Sequence, residues 1–361
     1  MARIKRFFEC ALPSSVCNLE CSYCYVIQEN KRAMKNEQLD YSPQYIARAL
    51  SQERLGGVCW INLCASGETM AQKEIVPLVK ALLLEGHFVS LTTNGTLSNK
   101  YDELITECSE LLGHLHLAFS LHYVELNKRG WIERYFDNVS KMRDAGASVL
   151  VQFNLCDEYI PYLEEIKSLC LEKVGAYPQV ALTRNEQTKP ISIMTSLSAE
   201  EYYKIGQSFQ SPLFDFTYKN FMVKRTEYCY AGEWSGVLNM KTGLLKKCYC
   251  GNEIINIFKD PDEPIPFSAV GYNCSSSYCI NSSHFLSLGV IPDIKTPSYA
   301  QLRNRKEAAW YTEEMESFLH TRLYDNNEQH NLITRIQNTG FRTWVYRHPI
   351  YLSLHKIKEK L

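Results

Sequence analysis

The chain has 361 residues, 45% of them apolar, which is enough to bury a large core as one main domain with a smaller appendage. Its 40 acidic side chains and 39 lysines plus arginines nearly cancel, so no whole-chain field selects nucleic acid or an acidic substrate. No apolar run reaches the roughly 18 residues of a membrane span, and the basic start Met1-Ala2-Arg3-Ile4-Lys5-Arg6 leads into a short strand rather than a signal peptide. The expectation is a cytoplasmic protein, in which 14 cysteines point to metal or catalysis more readily than to disulfides.

From residue 6 to about residue 210, short apolar runs alternate with longer amphipathic stretches, the pattern of repeated strand and helix units around a parallel sheet. Strands are predicted at 6–12, 58–64, 87–92, 114–121, 147–154 and 178–184, with helices at about 43–55, 71–85, 100–112, 131–145 and 160–174. Ser42-Pro43 supplies a cap and a first-turn proline for the first helix. Six units are fewer than the eight that close a full barrel, so the fold class is α/β, an open partial (β/α)6 TIM-like barrel whose chemistry gathers at the C-terminal ends of its strands. From about 225 to 285 the texture becomes rich in Cys, Tyr, Gly and Asn without helical period, and reads as a smaller metal-bound domain. Helices return at 303–321 and 325–338. A basic, aromatic tail follows from Phe341 to Leu361, with Arg342, Arg347, Lys356, Lys358 and Lys360 against Glu359; it suits an anionic membrane surface or a solvated terminal helix. The divisions are 1–215, 216–300 and 301–361.

Directly after the first strand stands Cys17-Asn18-Leu19-Glu20-Cys21-Ser22-Tyr23-Cys24, a C-x3-C-x2-C triplet. A loop of this length brings three thiolates onto one small cluster, and a 4Fe-4S cube has a fourth iron that three cysteines leave open. The alternatives are a zinc knot or structural thiols, although zinc sites more often use two separated Cys pairs. The triplet, with Tyr23 before its last cysteine, resembles the motif of the radical S-adenosylmethionine (SAM) enzymes. That resemblance implies SAM on the open iron, one-electron cleavage of its sulfonium to a 5'-deoxyadenosyl radical, hydrogen abstraction from a substrate, and a reductant such as flavodoxin or ferredoxin.

Further segments resemble the same family in order along the chain. Ala65-Ser66-Gly67-Glu68 is similar to its Gly-Gly-Glu segment, with Ser66 in place of the first glycine and Glu68 implied to hold the SAM amino group. Alone, Glu68 also reads as a first-turn helix acid. Thr93-Asn94-Gly95 resembles the turn lining the SAM site, although Asn-Gly is a common turn pair. Ser120 and His122, at the end of the fourth strand, are implied near the ribose or substrate. Gln152 and Asn154 share one face of the fifth strand and line a site or satisfy core hydrogen bonds.

A second cysteine set begins with Cys229, thirteen residues, Gly243, four residues and Cys248, a frame explained by a hairpin with a glycine turn that brings the two thiols together. Cys274 and Cys279 close the set, and four thiolates saturate one 4Fe-4S cluster. The frame resembles the start of the SPASM and twitch extensions, and the count fits one auxiliary 4Fe-4S cluster on Cys229, Cys248, Cys274 and Cys279; Cys250 is able to replace one member, and zinc is the alternative. Such a cluster accepts the electron left on a substrate radical. A redox-neutral enzyme returns a hydrogen atom from a thiol, for which Cys250, Cys64 and Cys156 are candidates. Only sixteen residues precede Cys17, so no leader-peptide module is expected before the barrel. Tyr228, Tyr230, Trp234 and Tyr249 suit stacking on sugar rings or serve as interior filler. The expected substrate is a hydroxylated small molecule, a sugar or aminocyclitol, oxidised or epimerised. A peptide maturase and a zinc-bearing binding protein are the alternatives.

Overall fold

The computed structural model describes residues 2–276, 278, 279 and 282–339; the basic tail with Arg342, Arg347, Lys356, Lys358, Glu359 and Lys360 lies outside the described residues. Strands β1 (Arg6–Leu12), β2 (Cys59–Ala65), β3 (Phe88–Thr93), β4 (Leu115–Ser120), β5 (Ser148–Leu155) and β6 (Gln179–Leu182) pair in parallel with their neighbours in chain order. Helices Pro43–Ala49, Ile75–Leu84, Ser98–Cys108, Ile132–Asp144 and Leu163–Val174 connect them. This is the α/β partial barrel that the alternation implies. Its strands are apolar runs because helices cover one face and the barrel interior the other.

The differences are local. The first helix stops at Leu50 and restarts as Gln52–Leu55, because Ser51 caps the second piece by accepting from Arg54 N–H. The fifth begins at Leu163, after a 3-10 turn containing Pro161. The last predicted strand splits: β6 ends at Leu182, and β7 (Arg184–Asn185) pairs with β8 (Ser192–Ile193) in a separate hairpin. Helices Tyr123–Arg129, Ala199–Gln207 and Pro212–Asn220 were not predicted, although Ser198 with Glu201 forms a capping box and Ser211-Pro212 repeats the start signal. The predicted helix 303–321 is three short pieces, Tyr299–Arg303, Lys306–Ala308 and Glu313–Leu319, and 325–338 is Leu323–Asn326 and Leu332–Thr339.

The hairpin around Gly243 is present and continues the barrel sheet. Strands β9 (Ser235–Asn239), β10 (Leu244–Lys246) and β11 (Glu253–Asn256) extend the order to β11-β10-β9-β1-β2-β3-β4-β5-β6. β9 runs parallel to β1 from Phe7 opposite Ser235 to Ala11 opposite Asn239. Gly243 takes φ +78°, a left-handed backbone suited to glycine, and donates to Asn239 O at 2.8 Å.

The N-terminal ends of the strands are closed by the segment 299–319. Trp310 O accepts from Val149 N–H at 2.7 Å, Ser148 Oγ accepts from Thr312 N–H at 3.0 Å, and Phe318 stacks on Phe88 at 3.8 Å. The interior is therefore dry below and open above. No helix among the described residues is long and apolar enough to cross a membrane.

His116, on β4 inside the barrel, shares a hydrogen bond of 2.9 Å with Ser90 and packs edge-on against Tyr311. Burial first, and the Arg303 charge second, lower its pKa to about 3. The unfolded chain therefore binds a proton that the folded chain refuses between about pH 6.5 and pH 3, and stability falls as pH drops through that window. Urea denaturation at pH 7 and pH 5 should show a loss of about 2 kcal/mol from this residue, which His116→Gln removes from the pH difference.

Candidate functional site

The loop after β1 carries the first cysteine triplet and is tied to the ends of β2 and β3. Gly67 N–H donates to Ser14 O at 3.3 Å, Glu68 N–H to Val16 O at 2.7 Å and Ser66 Oγ to Ser14 O at 3.1 Å. On the other side Asn94 Nδ2 donates to Asn18 Oδ1 at 2.8 Å, and Asn18 Nδ2 to Thr96 Oγ1 at 2.8 Å. Glu68 is buried, and its two oxygens accept from Thr93 Oγ1 at 2.6 Å, Asn94 N–H at 2.7 Å and Met70 N–H at 2.9 Å. This acid locks the turns after β2 and β3 together. Burial raises its pKa while those donors oppose the rise.

Cys17, Cys21 and Cys24 line one cavity of about 280 Å³ at the C-terminal ends of the strands. Its wall also includes Tyr23, Ser66, Gly67, Glu68, Thr93, Asn94, Ser120, His122 and Asn154, so nine of the ten residues singled out for cofactor binding meet there. The tenth, Gln152, is in register with Ser120 and Gln179 but is not part of the wall. Burial pushes the Cys21 thiol up to about 12, and the neighbouring Cys17, Cys24 and Glu125 add to the rise against a hydrogen bond from Tyr23. Three cysteines around one space are a donor set for a thiophilic cationic centre, and fit an iron–sulfur cluster.

His122 and Tyr23 form part of a buried network that spacing alone does not reveal. Tyr23 Oη lies 2.6 Å from His122 Nδ1 and 2.8 Å from Tyr159 Oη. Burial lowers the His122 pKa to about 4, so the ring is neutral and braces the aromatic residue between Cys21 and Cys24. Tyr159 was missed because only the fold brings it within reach of a residue 136 positions earlier.

The second set lines a separate cavity: Cys229, Cys248, Cys250, Cys274 and Cys279 all face it, together with Tyr249, Tyr272, Phe285 and Ile291. A bridge between Cys229 and Gly271, with N–H to O distances of 3.2 and 2.8 Å, brings the loop of Cys274 beside the hairpin. Gly251 closes the turn after Cys248, and a Cβ there would sit 2.8 Å from Cys248 N. Among the described residues no group of three or more His, Cys, Asp or Glu gathers tightly enough for a single metal ion. The thiols are set around cavities rather than drawn onto a point.

Cys64, Cys156 and Cys250 are not part of the triplet's wall. Cys64 donates to Glu9 Oε1 at 3.0 Å, Cys156 is buried before the turn at Asp157, and Cys250 faces the second cavity. Of the four aromatic residues considered for stacking on sugars, Tyr228, Tyr230 and Trp234 are core; Tyr230 and Trp234 stack on each other at 3.7 Å. Only Tyr249 is open, at 48% exposure.

Gly67 explains why the segment after β2 ends in glycine before its acid. A Cβ at this position would fall 2.2 Å from Val16 O and 2.5 Å from Ser15 C, backbone atoms that cannot yield without moving the cysteine loop. Gly67→Ala should destabilise the protein by about 1–3 kcal/mol in chemical denaturation and cut iron incorporation on reconstitution, whereas Gly130→Ala, where no atom lies within 4 Å but φ is +68°, should leave iron content unchanged.

Residues 12–169 match the family model described as the radical SAM superfamily. Comparison with curated proteins finds no match. Among solved structures, Streptococcus suis SuiB bound to S-adenosylmethionine is similar at 15% identity and TM-score 0.50, over 73% of this chain and 67% of that one. SuiB bound to its precursor peptide SuiA aligns at 13% identity and TM-score 0.50, over 87% and 76%. The structure of anSMEcpe with bound AdoMet aligns over 95% of both chains at 15% identity and TM-score 0.48. The matched segment runs from the end of β1 through the triplet and both turns that grip it, and over those residues the chain is similar to the radical SAM superfamily.

Proposed function

We propose that this chain is a radical SAM enzyme with a second, auxiliary iron–sulfur cluster, acting on a hydroxylated small molecule such as a sugar or aminocyclitol. The observation that carries the reading is the arrangement of two cysteine sets around two separate cavities, one at the C-terminal end of β1 and one beside the hairpin that pairs with its far edge. Cys17, Cys21 and Cys24 would hold the first 4Fe-4S cluster, and Cys229, Cys248, Cys274 and Cys279 the second, in a twitch-like extension spanning about 216–300. When bound, the first cluster supplies the electron that cleaves SAM, and the resulting 5'-deoxyadenosyl radical abstracts a substrate hydrogen.

The residues of the chain set up this chemistry. Glu68 Oε2 accepts one hydrogen bond and keeps acceptor capacity for the SAM ammonium, while Ser66, Gly67 and the Thr93-Asn94 turn shape its surroundings. Ser120, His122 and Asn154 form the polar far wall. The Tyr249 ring, half exposed between two cysteines of the second set, suits stacking on a sugar ring. We assign oxidation or epimerisation as the reaction class, with flavodoxin or ferredoxin as electron donor in a cytoplasmic setting.

Anaerobic reconstitution followed by iron and sulfide analysis should give about eight of each per chain, and about four after joint Cys17→Ala, Cys21→Ala and Cys24→Ala substitution. The intact protein with dithionite and SAM should release 5'-deoxyadenosine, and the triple variant should not. Zinc in place of iron, with no SAM cleavage, would overturn the proposal. A panel of ring-deuterated UDP-hexoses, free aminohexoses and aminocyclitols then identifies the substrate by deuterium transfer into 5'-deoxyadenosine.

A further inference from the structure

Glu9 is an acid in the middle of a strand, 5% exposed, inside the barrel. Its Oε1 accepts from Asn62 Nδ2 at 3.1 Å and from the Cys64 thiol at 3.0 Å. Its Oε2 is buried and makes no hydrogen bond of ordinary geometry, although Tyr249 lies close enough to lower the acid's pKa against the larger upward effect of burial. Burial and the neighbouring Glu9 hold the Cys64 thiol well above its ordinary range, so it keeps its proton. The register fixes the order of the pair. Glu9 stands opposite Asn62 and Ala11 opposite Cys64, so the thiol is two residues nearer the open, C-terminal ends of the strands than the acid behind it.

The pair also lies between the two cysteine cavities. Tyr25, which follows Cys24 and lines the first cavity, is 46% exposed and has both Cys64 and Cys24 as neighbours. Tyr249, which lines the second, reaches back to Glu9. A partly buried thiol backed by a buried acid stands one residue below Ala65, which lines the first cavity, with an open aromatic ring toward each cysteine set.

We propose that Cys64 returns a hydrogen atom to the substrate carbon radical, with Glu9 behind it as the positioning residue that restores the thiol proton, so that the enzyme inverts a hydroxyl-bearing carbon rather than oxidising it. The assignment rests on the radical chemistry proposed above. As the new C–H bond forms, the Cys64 S–H bond breaks and leaves a thiyl radical. One electron from a reduced iron–sulfur centre, the class of reductant the second cysteine set would hold, and one proton drawn from water and relayed through the Glu9 carboxyl regenerate the thiol. Each turnover then consumes one SAM, two electrons and one proton, and the abstracted hydrogen leaves on 5'-deoxyadenosine. Oxidation would instead need a base in front, touching the substrate hydroxyl, and the acid here is behind.

Two measurements test this. In the reconstituted holoenzyme, iodoacetamide alkylation of Cys64, followed by peptide mass spectrometry across pH, should show a raised midpoint that Glu9→Gln moves down by about one pH unit or more. The other titratable groups facing the pair, Cys10, Tyr25, Tyr249 and Tyr299, are unchanged in that variant. A Cys64 that never alkylates, or an unmoved midpoint, defeats the pairing. With the compound found in the deuterium screen, wild-type turnover in D2O should place a single solvent deuterium at the inverted carbon, and Cys64→Ala should lose that product and accumulate a carbon-centred radical visible by EPR. Undiminished inversion in Cys64→Ala, or a wild-type product two mass units lighter, overturns the donor assignment. Absence of 5'-deoxyadenosine from the wild type overturns the radical reading itself.

Discussion

Strand β1 is hydrogen-bonded on both edges, to β2 on one side and to β9 on the other, and everything proposed for this protein hangs on that double pairing. The loop that leaves its C-terminal end carries the first three cysteines. The strand on its far edge is the first arm of the hairpin that separates Cys229 from Cys248. A single backbone ladder therefore sets the placement of two cysteine clusters more than 200 positions apart in sequence. Parallel pairing leaves little freedom, because a slip of one residue would turn Phe8 and Cys10 to the wrong face and Glu9 out of the barrel.

The first cysteine loop is held by packing as much as by hydrogen bonds. Gly67 brings the β2 turn against the Ser15-Val16 backbone, and Glu68 then ties that turn to the one after β3. The buried carboxylate is stabilised by three donors rather than by a counter-ion, which keeps it in place whether or not a cation is nearby. Tyr23 plays the corresponding part on the other side of the loop, where it bridges neutral His122 and Tyr159.

Much of this was legible in the sequence because the signals are local. Six buried strands read as apolar runs, the triplet is eight residues long, and the Gly243 turn lies between its own two strands. What stayed hidden depends on contacts across the fold. The boundary of the hairpin gives no hint that Ser235–Asn239 will choose β1 as its partner. The aromatic residues of that region have the composition of a sugar site, yet Tyr230 and Trp234 spend their rings on each other. The broken C-terminal helices lack a clean period because they are cut to fit the barrel floor, where Trp310 and Thr312 meet β5 and Phe318 meets β3. The helices at Ala199–Gln207 and Pro212–Asn220 have their caps written in the sequence, but at nine residues each they are too short to show a clear helical period.

That floor matters for the chemistry above it. A parallel barrel open at both ends would let water reach Glu9 and Cys64 from below, and each would then titrate near its ordinary range. With Phe318 on Phe88 and Trp310 against β5, the dry end lies beneath the acid and the open end lies above the thiol. The gradient favours protonated forms of both groups and exposes the weaker S–H bond to the side from which a radical would arrive. A thiol alone at this depth would be inert core filler. A carboxyl group behind it, with one oxygen lacking an ordinary hydrogen bond, gives it a source of protons, and the two strands that hold the pair are the same two that grip the first cysteine loop.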